Sequence, residues 1–210
     1  MSPPIAVQQS LFGRGAPALG DLRDLRRIDL DADAWIEHAP NWLSGQDAVL
    51  AELLRTTTWH EEQRTMYDRV VTVPRLLAGF PKDGPGHPLL FELGRRLAVR
   101  YGVAFPRVTM AYYRSGDDSV AWHGDTIARE LPTALVGTLS LGGPRKFLLR
   151  PRAGGRTREF WLGQGDLLVM GGTCQRTWEH SIPKTTSPAP PRLAVMYRPI
   201  WTLPDGPRPR

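Results

Sequence analysis

The 210-residue chain is long enough for one domain with a proper core, and at 41% hydrophobic and 23% charged it has the composition of a globular protein. Its 21 glycines and 20 prolines favour short strands joined by turns over a helical bundle, and Cys174, the sole cysteine, excludes internal disulfides and a cysteine-based zinc site. The net charge of +6 and pI near 10.0 suit a polyanionic partner such as nucleic acid, although a generally arginine-rich composition gives the same balance.

The first thirty residues carry Pro, Gly and mixed charge with little periodicity and read as an extension or loosely packed arm. MSPPIAVQQSLFGRG has no basic segment leading into an apolar one, so no secretory signal is expected and a cytoplasmic location is the default. No apolar run is long enough to span a bilayer. We divide the chain into an N-terminal extension over 1–45, a helical support and lid region over 46–105, and a strand-rich core over 106–210, together one compact domain.

Ser44 opens SGQDAVLAELLR, where Ser44 and Asp47 resemble a capping box and Val49, Leu50, Leu53 and Leu54 form one apolar helical face. His87-Pro88 starts a second helix with the stripe Leu89, Leu90, Leu93 and Leu97 and a stop at Gly102. From residue 106 the texture becomes strand-like. VTMAYYR (108–114), ALVGTLSLG (134–142), RKFLLR (145–150), EFWL (159–162), DLLVMGG (166–172) and RLAVMYRPIW (192–201) are separated by Gly/Pro turns, the pattern of a jelly roll or similar barrel.

Five residues in this core carry chemistry. His123 and Asp125, two apart in HGD at a strand end, project to the same side and can reach one metal. His180 follows 57 residues later, enough chain to return from a distant strand. Two imidazoles and a carboxylate form a 2-His-1-carboxylate set, which leaves metal positions open for a co-substrate and O2. Arg192 and Arg198, six apart, share one strand face with Ala194 and Met196, opposite Leu193, Val195 and Tyr197. A mainly apolar interior with an arginine at each end requires an anionic partner, because an unpaired buried guanidinium is costly. Each part alone has a plain alternative: an exposed turn for HGD, a capping histidine for His180, an edge strand with solvated arginines. Their order and strand-rich setting make the set specific.

Over residues 59–201 the chain resembles the AlkB-type 2-oxoglutarate- and iron(II)-dependent dioxygenases. TVPRLLAGF (72–80), MAYYRSGDDSVAWHGD (110–125), TLSLGGPRKFLLR (138–150), GDLLVMGGTCQRTWEHSIPK (165–184) and PRLAVMYR (191–198) carry the resemblance. It implies a double-stranded β-helix with N-terminal helices and a nucleotide-recognition lid. It implies that His123, Asp125 and His180 are catalytic and bind iron(II), that Arg192 pairs with the distal carboxylate of 2-oxoglutarate, and that Arg198 and Tyr113 complete that pocket. O2 is the further co-substrate. The implied activity is oxidative demethylation of N-alkylated bases in DNA or RNA, as in alkylation-damage repair, with release of succinate, CO2 and formaldehyde by a monomer.

By the same resemblance Tyr67 falls where an aromatic stacks on a flipped base, and Arg145 falls at a family arginine near the substrate. Trp122 and Trp178, each beside a metal ligand, are read as packing. The chain departs from the family at Ala111 and Ala194, where asparagine is common, and at Ile127, where repair members place an acid that reads the base. These departures leave the iron chemistry intact. They keep open the same chemistry on another substrate (a modified RNA base, a protein or a small molecule) and a non-catalytic nucleic-acid-binding relative.

Overall fold

The computed structural model describes residues 15–66, 69–80, 86–125 and 128–200. Its N-terminal part runs β1 (Ala18–Leu19), β2 (Arg26–Asp29), β3 (Ala34–Ala39), β4 (Leu43–Ser44), α1 (Gln46–Thr56), β5 (His60–Met66), β6 (Arg69–Gly79) and α2 (Pro88–Tyr101). The rest is β7 (Arg107–Tyr113), β8 (Val120–His123), β9 (Val136–Gly142), β10 (Arg145–Pro151), β11 (Arg158–Leu162), β12 (Asp166–Gly172), α3 (Cys174–Thr177), β13 (Trp178–Ile182) and β14 (Arg192–Arg198).

Two antiparallel sheets face each other in the jelly-roll layout expected from the sequence. The larger has the order β2-β3-β12-β9-β14-β7-β6-β5 and the smaller β11-β10-β13-β8. Strand alternation divides the apolar residues between two cores. Leu193, Val195 and Tyr197 of β14 and Leu139 and Leu141 of β9 pack outward, where Leu50, Leu53, Leu90, Leu93 and Leu97 of α1 and α2 cover the sheet. Ala194, Ala111, Tyr113, Val136 and Met170 face inward, against Phe147, Leu149, Leu162 and Ile182 of the smaller sheet.

The second helix forms as its sequence predicts. The His87 ring accepts a hydrogen bond from Leu89 N at 3.2 Å, Pro88 occupies the first turn, and Gly102 ends the helix at φ 66°. The first helix departs from its predicted capping box. Its cap is Gly45 at φ 61°, and the Ser44 hydroxyl instead donates to Ala18 O at 3.3 Å. The cause is the β1–β4 pairing, which presses chain against Gly45: a Cβ there would lie 2.7 Å from Gly15 O and 2.8 Å from Pro17 N.

Part of the segment read as an N-terminal extension is integral to the sheet. β3 pairs with six residues of β12 and carries β2 on its far side, with Ala34 and Ile36 fully buried. The AWIEHA alternation is hidden by Glu37, a buried carboxylate that accepts hydrogen bonds from Arg100 at 3.0 Å and from Tyr101. β5, β6, β8 and β13 are strands the sequence reading left unassigned.

Because α2 is held to the sheet by its fully buried leucines, Leu93→Ala leaves a cavity between helix and sheet. It should cost about 2–5 kcal/mol, read as a lowered midpoint in chemical denaturation.

Candidate active site

A cleft of about 1030 Å³ opens between the sheets. Thr109, Ala111 and Tyr113 of β7, Val136 and Thr138 of β9, and all four inward residues of β14 line its larger-sheet side. His123, Phe147, His180 and Ile182 line the other, with Arg75 and Glu61 toward the β5–β6 hairpin.

All three residues predicted as metal ligands line this cleft, and the two histidines meet in it. His123 ends β8, and its cross-strand partner on β13 is His180, with the ring centroids 4.2 Å apart. Phe147 stacks on His180 at 5.4 Å, and His123 Nδ1 lies 2.9 Å from Ala121 O, so the ring is braced from its own strand. Burial disfavours the charged imidazole at both: His123 is lowered, and His180, also repelled by His123, is pushed down to about 3. Both rings therefore offer neutral nitrogen at neutral pH.

Asp125 lies two residues past His123, and its backbone N–H donates to the buried Gln175 Oε1 at 3.0 Å. Burial alone would raise its carboxyl, but attraction and hydrogen bonding from Arg198 hold it below the usual range. Arg198 contacts it twice, Nε to Oδ2 at 2.5 Å and Nη2 to Oδ1 at 3.3 Å, and also donates to Thr109 Oγ1 at 2.7 Å. Among the described residues no three His, Cys, Asp or Glu side chains converge as a ready metal cage, which agrees with Asp125 being engaged by Arg198. The donor chemistry nonetheless suits iron(II): two neutral imidazoles and one ionised carboxylate, adjacent in one cleft. Binding a cation requires the carboxylate to share or exchange its arginine.

Arg192 stands at the other end of the β14 face and is almost fully buried. Its Nε donates to Leu162 O at 3.0 Å and its Nη2 to Ser140 Oγ at 2.7 Å, while Nη1 is buried with no partner among the described residues. Tyr113 lies under the guanidinium, 5.4 Å from ring centroid to Cζ. Burial pushes Arg192 down to about 10, so it remains a cation at neutral pH. A cation with a free donor, at the far end of a cleft from two neutral imidazoles, fits an anion that extends toward the histidines.

Arg145 differs from its expected place among the substrate contacts. It is buried, and it donates to the carbonyls of Ser115 at 2.7 Å, Asp118 at 2.9 Å and Pro183 at 2.8 Å. Those bonds hold the turn before β8. Tyr67 and Ile127 lie outside the described residues. Trp178 packs as expected, donating to Asp31, whereas Trp122 is found on the cleft wall. Ser140, Thr109 and Gln175 escaped the sequence reading. The β9 segment held a usable signal, since Thr138 and Ser140 alternate with Leu139 and Leu141 and mark a polar inner face.

The sequence model of the 2OG-Fe(II) oxygenase superfamily matches residues 41–198. The bovine alpha-ketoglutarate-dependent dioxygenase alkB homolog 3 is 28% identical over 170 residues, covering 77% of this chain and 57% of the relative. The DNA oxidative demethylase ALKBH2 of Arabidopsis thaliana is 28% identical over 134 residues, covering 53% and 43%. The chain thus spans about half the length of these curated relatives. Among solved structures, OsALKBH1 superposes with a TM-score of 0.58 at 14% identity, covering 83% of this chain and 100% of the other, and a Burkholderia pseudomallei 2OG-Fe(II) oxygenase family protein with 0.54 at 11%, covering 78% and 84%. These likenesses show the fold.

The histidine pair makes metal-free stability depend on acidity. His180 titrates near 3 when folded and near 6.5 when unfolded, so between those values the unfolded chain takes up a proton that the folded protein refuses. The stabilisation is complete above the unfolded value and declines as pH falls toward the folded one. Denaturation of metal-free protein should show a lower midpoint at about pH 5 than at about pH 7.5. A midpoint that rises on acidification would contradict this assignment.

Proposed function

The chain belongs to the 2OG-Fe(II) oxygenase superfamily, in its AlkB-type branch, and from that premise we propose that it demethylates N-alkylated nucleic-acid bases. Iron(II), 2-oxoglutarate and O2 are the family's requirements. The observation that carries the reading is the buried Arg192 Nη1, without a hydrogen-bond partner among the described residues, on a side chain that lines the same cleft as Asp125, His123 and His180.

In this reading Arg192, with Ser140 and Tyr113 beside it, binds the distal carboxylate of 2-oxoglutarate. Arg198 keeps Asp125 ionised and brings positive charge close to the other end of the co-substrate. Ala111, Val136, Met170, Ala194 and Met196 keep the intervening space dry, which strengthens every charge interaction inside it. The chemistry that iron(II) would supply when bound is O2 activation coupled to loss of CO2 from 2-oxoglutarate, placing one oxygen atom in succinate and the other in a substrate C–H bond. An N-methyl group so hydroxylated releases formaldehyde and returns the N–H base.

The nucleic-acid substrate is supported by the similarity to the DNA oxidative demethylase ALKBH2 and by the chain's charge of +6. With iron(II), 2-oxoglutarate and methylated single-stranded DNA and RNA, succinate and formaldehyde should form together. Succinate without formaldehyde on every methylated nucleic acid would remove the substrate assignment and leave the oxygenase.

Asp125→Ala should lower succinate formation by at least about a hundredfold, assayed under saturating iron(II). Arg192→Lys keeps the charge but loses the planar fork. It should raise the KM for 2-oxoglutarate about tenfold or more in steady-state kinetics, with iron(II) affinity unchanged.

A further inference from the structure

The smaller sheet has an outer face of which only the β8 edge and Glu179 also border the cleft. On β8, Val120 pairs with Ile182 and His123 with His180, so three residue steps of β8 match two of β13. This β-bulge places Ala121 and Trp122 together opposite Ser181. Bulges beside active sites re-aim side chains. Here His123 turns into the cleft while Trp122 comes to the cleft wall, under the Arg150 guanidinium at 4.2 Å. Arg150 is in turn held by Glu179 at 3.0 Å, and Glu179 also accepts from Arg152 at 2.8 Å.

The same face continues away from the cleft. Lys146 and Arg150 alternate with the inward Phe147 and Leu149 of β10, and Glu159 and Trp161 with the inward Phe160 and Leu162 of β11. Trp161 is 55% exposed, and Lys146 lies over its ring at 5.4 Å. Each edge strand of this sheet thus presents a tryptophan with a cation beside it. Lys146, Arg150 and Arg152 outnumber Glu159 and Glu179, leaving the face net positive. The edge strands are three strand spacings apart, about 14 Å, or about four steps at the rise of stacked bases.

We propose that this face is a track for single-stranded nucleic acid, with Trp122 and Trp161 as stacking posts for bases flanking the one in the cleft. Arg150, Arg152 and Lys146 contact its backbone. Aromatic rings accept any base, because every base has a π face, and cations on the same surface follow the phosphates. The track rests on the nucleic-acid reading above and adds to it a binding surface and a preference for single strands.

The test is fluorescence anisotropy of labelled 12-nucleotide single strands, DNA and RNA of one sequence, with a duplex of that sequence alongside. Trp122→Ala and Trp161→Ala should each weaken single-strand binding about tenfold, and Trp161→Phe should recover part of the loss. Phe91→Ala, at an exposed apolar residue of α2 on the opposite side, should bind like wild type. Trp161 is exposed, so its variants test the track without disturbing the core. Wild-type affinity in both tryptophan variants, an equal loss in Phe91→Ala, or tighter binding of duplex than of single strand would each overturn the track. Failure of the wild type to bind any nucleic acid would overturn the track and the substrate reading together. Binding that survives in the tryptophan variants would overturn the track alone.

Discussion

A guanidinium buried between two β-sheets is costly unless hydrogen bonds and charge answer it, and the hydrogen bonds of Arg192 come from neutral groups. Leu162 O and Ser140 Oγ satisfy two of its nitrogens, and the third is buried without a partner among the described residues. Three strands must be in register to provide this: β14 for Arg192 itself, β9 for Ser140 and β7 for Tyr113. β11 of the opposite sheet supplies the carbonyl. The closing of the sandwich and the burial of a cation against the cleft are therefore one event.

The alternation of β14 makes this possible. One side of the strand supplies Leu193, Val195 and Tyr197 to the helix-covered core, where the Tyr197 hydroxyl donates to Leu90 O at 3.0 Å. The other side supplies Arg192, Ala194, Met196 and Arg198 to the cleft. A one-residue slip would exchange the two faces and put both arginines among the leucines, so register and function are tied. The helices α1 and α2 pack their leucines on the outer side of the large sheet. They hold the sheet that carries the cleft.

At the opposite end charge is balanced before any metal arrives. Arg198 neutralises Asp125 and lets an ionised carboxylate persist beside two imidazoles that burial keeps neutral. The β8 bulge serves both sides of the smaller sheet, turning His123 inward and bringing Trp122 to the wall. Arg145 steadies the turn that leads into that strand, so a residue expected at the substrate acts on the backbone that presents the ligands.

Local chemistry determined what was legible in the sequence. Leu/Val alternation marked β9, β12 and β14, and Pro88 and Gly102 bracketed α2, because each depends on neighbours within a strand or turn, while the order of HGD, His180 and the two arginines named the candidate site residues. Tertiary structure decided what depends on distant partners. Strands β2 and β3 exist because β12 offers an edge, although Glu37 and His38 interrupt their apolar pattern. Gly45 replaces Ser44 as the helix cap because the chain leading into β1 crowds it. Arg145 is buried because carbonyls from two separate segments, the turn before β8 and Pro183, converge on it, and Trp122 reaches the cleft because of a bulge defined only by pairing with β13. Periodicity is a property of one segment, whereas burial of a charge and the register of a bulge are properties of two or more segments brought together by folding.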